Sequence, residues 1–173
     1  EVVSALDSVV LVNGTKNPYI DLPAQVIRLR LLNAATERAF NFGFSNNQPF
    51  FQIGSDGGLL SAPVSMTRLL MAPGERAEIL VDLATLNGQT IYLMSYASQI
   101  PAGIYGATNP QIMGSNIIPN YTANLLNGTN FNLLQINVVA PNANPVTAIP
   151  ATLANVQPYL EASANKTRDF MFS

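Results

Sequence analysis

The side chains that carry most enzyme chemistry are missing from this chain. Its 173 residues include no histidine and no cysteine. That excludes a Ser-His-Asp or Cys-His nucleophilic centre and any disulfide framework. It also excludes zinc, blue-copper, haem and iron–sulfur sites of the usual kinds, which draw chiefly on those ligands. Hard cations held by carboxylates remain, but the ten acidic residues are scattered. Asp56, beside Gly57-Gly58, has the chemistry of a general acid or a cation ligand. Its place in a tight turn assigns it instead to accepting backbone N–H bonds. Arg28 and Arg30, with Glu75, Glu78 or Asp82, make either an anion site or ion pairs on a sheet or against a neighbouring domain, and their alternation favours the pairs. Met66, Met71, Met94 and Met113 carry thioethers that suit Cu(I), but their scatter reads as core packing. The triplets starting at Asn13, Asn120, Asn127 and Asn165 match the glycosylation acceptor; in a chain this rich in Asn and Thr, chance accounts for them.

The elements that position these residues centre on 50–82. Four short apolar runs there are separated by turns: Asp56-Gly57-Gly58, where glycine takes positive φ without steric cost, and Pro73-Gly74, where proline presets φ before glycine. Residues 75–82 alternate, with Ala77, Ile79 and Val81 on one face and Arg76, Glu78, Leu80 and Asp82 on the other. Before this stretch, 8–12 read as a short strand closed by Asn13-Gly14, 18–23 as a bridging loop, 25–33 as an alternating strand and 39–44 as another, with Phe40, Phe42 and Phe44 on one face. After it, 83–86 read as one helical turn, Asn87-Gly88 as a reversal, 90–97 as a strand and 131–140 as the last core strand. Residues 98–120 form a long irregular segment, more apolar than a free loop, and are expected either at a domain boundary or as an insertion packed on their own domain. Residues 141–165, rich in Pro, Ala and Asn, read as an inter-domain linker lying against the surface. Residues 166–172 then resume strand-like alternation. Seven or eight strands with Gly/Pro turns and no helical periodicity predict an all-β sandwich with Greek-key connections.

Composition narrows the partners. Hydrophobic residues make up 48% of the chain and charged residues 10%, a charge density that suggests cover by other domains or subunits. The net charge is −2, with no tryptophan and no basic block, so nucleic acid is not an expected partner. No apolar run reaches the roughly 18 residues of a membrane span. With neither a leader pattern nor an initiator Met, the chain is expected to be a mature piece or a fragment.

Three motifs in order then point to a family. Val12-Asn13-Gly14 is followed by a proline loop and a strand written Arg28-Leu29-Arg30-Leu31-Leu32-Asn33. Next come Ile53-Gly54-Ser55-Asp56-Gly57-Gly58-Leu59-Leu60 and Pro73-Gly74-Glu75-Arg76-Ala77-Glu78-Ile79-Leu80-Val81. Together they resemble the second cupredoxin domain of three-domain multicopper oxidases, the branch with copper-efflux oxidases, the spore-coat laccase and bilirubin oxidase. The resemblance is close over 10–82 and loose over 90–172. It implies a cupredoxin-like Greek-key β-sandwich at 1–140, a linker at 141–165 and the cut first strand of a following domain at 166–173.

In that family metal ions, phenols or pigments are oxidised and dioxygen is reduced to water at coppers held by His, Cys and Met of the other domains. The resemblance therefore implies no catalytic, metal-binding or cofactor-binding residue in this chain, with copper in the parent protein. Asn13, Gly14, Arg28, Arg30, Asn33, Asp56, Gly57, Gly58, Gly74, Glu75 and Arg76 are expected as a structural signature. Ile104, Tyr105 and Met113 are expected in an inter-domain wall beside the substrate. The expected partners are the flanking cupredoxin domains and a small-molecule or metal-ion substrate of the parent. The expected location is exported, in the periplasm or cell envelope. The alternative from another class is a copper-free relative with a structural or cell-division role in the envelope.

Overall fold

A computed structural model describes residues 8–110, 118, 120–155, 157 and 159–171. Two sheets face each other. One has five strands, β3 (Tyr19–Pro23), β11 (Phe131–Val139), β10 (Thr90–Ser95), β5 (Phe40–Phe44) and β8 (Leu69–Met71), in the order β3-β11-β10-β5-β8. The other has four, β4 (Val26–Leu32), β9 (Arg76–Asp82), β6 (Phe50–Ser55) and β7 (Gly58–Met66), in the order β4-β9-β6-β7. A two-residue hairpin, β1 (Leu11–Val12) and β2 (Thr15–Lys16), precedes them. All pairings are antiparallel except β3 with β11.

The stretch 50–82 supplies three strands of the four-stranded sheet and the edge strand β8 of the other. Its alternation explains the layering. Ala77, Ile79 and Val81 point inward and are sealed, while Arg76 and Asp82 on the opposite face are exposed. Inward-facing aromatics fill the middle: Phe44 and Phe50 meet edge to face at 5.8 Å, and Phe40 meets Phe131 at 6.2 Å. Ile91, Leu93, Ile136 and Val138 complete the core.

Four expectations are corrected. Residues 18–23 are not a bridging loop: 19–23 form the edge strand β3, where the missing N–H of a terminal proline costs no inner ladder bond. Residues 83–86 form a turn closed by the Leu86 amide to the Leu83 carbonyl, because Leu83 is fully buried and its own amide is tied to Gln25. The strand expected at 90–97 stops at Ser95, and Ala97–Gln99 form a 3₁₀ turn. The two sheets hold nine strands, above the expected seven or eight, because short edges such as β3 and β8 carry little periodic signal.

Residues 141–155 cross the outside of the four-stranded sheet as a strap. The Val146 carbonyl accepts from the Val26 amide at one edge, and the Leu153 amide donates to the Ser61 carbonyl at the other. Val146, Ala148, Pro150 and Leu153 stand with Val26, Ile53 and Leu80 around an open cleft of ≈ 530 Å³.

Candidate functional site

The signature residues are brought together in pairs, and each pair joins elements distant in sequence. Asn33 ends β4 and is buried. Its side-chain amide donates to the carbonyls of Arg38 (2.8 Å) and Met71 (3.0 Å), and its Oδ1 accepts from the Ala35 amide. Its backbone amide bonds to the Glu75 carbonyl, and its carbonyl accepts from the Gly74 amide. One residue, through its side chain and its backbone, thus ties the end of β4, the exit from β8 and the turn into β9. That turn is built by Pro73 and Gly74, with Gly74 at φ +85° and the Glu75 amide bonded to the Ala72 carbonyl. The Glu75 carboxylate accepts from the Ala72 amide at 2.6 Å.

Asp56 plays the expected turn role across a longer distance. It accepts the backbone amide of Arg76 (3.2 Å) and its Nε–H (2.7 Å), clamping the β6–β7 turn to the start of β9. Arg76 bonded to it holds the Asp56 carboxyl below the usual carboxylate range. Arg28 and Arg30 both pair with Glu78 on the adjacent strand, Arg30 at 3.3 Å. These pairs lie largely in solvent, so they set register more than they add stability. Gly58 takes φ +112° and Gly57 does not take positive φ; Asn13 (φ +50°) and Gly14 (φ +78°) turn the first hairpin.

The residues expected in a wall lie apart from this framework. Ile104 packs on a small second cluster of Ala97, Ile100 and Ala107. Tyr105 meets Tyr121 edge-on at 5.4 Å, with the Arg38 guanidinium 5.2 Å from the Tyr105 ring. Met113 lies outside the described residues. The described part of this segment is pinned to its own domain. The Tyr105 carbonyl accepts from Ala39, the Tyr121 hydroxyl donates to Ala107, and the Gly106 amide donates to that hydroxyl. Arg38, 2% exposed, donates to Asn127 at 2.7 Å. Arg38 and Tyr121 were not singled out from sequence, since neither falls in an alternating run.

Copper does not fit the residues present. The chain has no imidazole and no thiol, and the buried Met71 is held in the main core. Among the described residues no group of three or more carboxylates gathers to hold a metal ion, and no helix is long and apolar enough to cross a membrane.

No family model matches the chain. Over 158 residues, 90% of the chain, it is 30% identical to the cell division protein FtsP of Photorhabdus laumondii and covers 32% of that protein. Over 102 residues, 59% of the chain, it is 37% identical to the laccase of Bacillus subtilis and covers 19% of it. The multicopper oxidase McoA of Aquifex aeolicus matches 90% of the chain at a TM-score of 0.68 and 29% identity, over 30% of its own length. The chain spans about a third or less of the length of the curated relatives it matches.

Proposed function

We propose that this chain, a cupredoxin-like domain of the multicopper-oxidase type, is the copper-free middle domain of a larger exported protein and spaces and orients copper-bearing cupredoxin domains on either side. In this reading residues 1–140 are the domain proper, 141–165 the linker to the next domain and 166–173 the start of that domain's first strand. The parent oxidises a phenolic, pigment or metal-ion substrate and passes the electrons to dioxygen. The observation that carries the reading is that the signature residues brace strands: Asn33 bonds the Met71 carbonyl, Asp56 clamps Arg76, and Arg28 and Arg30 pair with Glu78. A spacer needs such rigidity. Ile104 and Tyr105 then contribute to a wall against the neighbouring domain.

A second reading is favoured by one comparison, the match to a cell division protein along 90% of the chain. There the same rigid domain belongs to a copper-free scaffold in the envelope. One experiment separates the two. The full-length protein is purified after growth with copper, its copper content is measured, and oxygen uptake is followed with a phenolic substrate. Bound copper with substrate-dependent oxygen uptake supports the oxidase. A copper-free, inert protein supports the scaffold.

A further inference from the structure

The outer face of the five-stranded sheet plays no part in the bracing described above. On three adjacent strands, β3, β11 and β10, the outward side chains stand in two rows. Tyr19 is opposite Gln135, which is opposite Tyr92; Asp21 is opposite Asn137, which is opposite Thr90. These six form a continuous polar surface. Gln135 and Thr90 donate to Asn137 Oδ1 at 2.9 and 3.2 Å, and Asn137 Nδ2 donates to Asp21 at 2.8 Å. The Tyr92 hydroxyl donates to Gln135 Oε1 at 3.4 Å. Tyr19, 71% exposed, carries its ring and hydroxyl at the edge.

We propose that this face binds a β-1,4-linked glycan chain. The side chains are fixed by one another, so a ligand does not have to order them. Each amide keeps a second N–H, Asp21 keeps its other oxygen, and Tyr19 keeps its hydroxyl, an array that matches sugar hydroxyls. Tyr19 and Tyr92 stand two strands apart, about 10 Å at the ~4.8 Å strand spacing. That is close to the length of one β-1,4-linked disaccharide, so two rings meet alternate sugars. None of the outward residues of these strands is cationic, and Asp21 alone is charged, which fits a neutral polyol and disfavours a nucleic acid or an anionic membrane.

Co-sedimentation of the chain with insoluble chitin, cellulose and purified peptidoglycan tests this. The expected result is retention on at least one of the three, the preference showing whether the N-acetyl group is read. Tyr19→Ala and Tyr92→Ala are each expected to weaken it about tenfold, near 1.4 kcal/mol. Circular dichroism checks that the exposed Tyr19 variant keeps its fold. No retention on any glycan, retention equal in Tyr19→Ala and wild type, or a chain whose Tyr19 face is covered by a second copy overturns the proposal.

Discussion

The side-chain amide of Asn33 donates to the carbonyl of Met71 across 38 residues of sequence, joining the two sheets at a buried point. Both partners are nearly inaccessible to water. Removing this amide leaves the Met71 and Arg38 carbonyls without their donor, each at about 1–3 kcal/mol. Asn33→Ala is therefore expected to lower stability by roughly 3 kcal/mol in urea unfolding. Loss below about 1 kcal/mol would show that water replaces the amide and that Asn33 is not the tie described.

Glycines separate two physical effects. At Gly43 a Cβ would stand 2.8 Å from the Thr67 carbonyl, 2.8 Å from Arg68 and 3.0 Å from the Tyr96 ring, where the Arg68 guanidinium is stacked at 3.4 Å. Gly43→Ala is expected to cost roughly 1–3 kcal/mol through overpacking. Gly58→Ala has open space but positive φ, so about 1 kcal/mol is expected from backbone strain alone. Gly57→Ala meets open space without positive φ and is expected to be neutral. Thermal melts of the three variants check the order.

Asp56 predicts an acid-side effect. Its carboxyl is held below the ordinary value of about 3.9 by Arg76. A depressed folded value means the contribution to stability is present above the ordinary value and is lost as pH falls through the lower folded one. An NMR titration of the Asp56 carboxyl carbon is expected to show a low midpoint, and Arg76→Ala is expected to move it upward. An unmoved midpoint would mean the clamp does not form in solution.

The strap is expected to behave as part of the domain. Ending the chain at Ala140 uncovers Val26, Ile53 and Leu80, which line its cleft. The shortened protein is expected to lose about 2 kcal/mol, the worth of one or two aliphatic side chains, and to bind a hydrophobic dye. Unchanged stability and no dye binding would return 141–155 to the role of a passive linker.

Much of the framework was legible in sequence because it rests on local rules. Alternation at 75–82 gave β9 and its faces, and Asp56-Gly57-Gly58 and Pro73-Gly74 marked turns that glycine makes at Gly58 and Gly74. Long-range partners were not legible. Nothing in the spacing says that Asp56 clamps Arg76, that Asn33 reaches Met71, or that Arg38 is buried beside Asn127, because such pairs are set by how the sheets stack. The strand at 19–23 was hidden by Pro18 before it and Pro23 at its end, which an edge position tolerates.

In the proposed role this domain braces and spaces its neighbours and is expected to hold no copper. The most direct measurement equilibrates the purified chain with Cu(II), removes free metal by desalting and determines bound copper by elemental analysis, with an absorption spectrum of the same sample. Well under one copper per chain and no blue band are expected. One copper retained per chain, or a blue absorption, would contradict it.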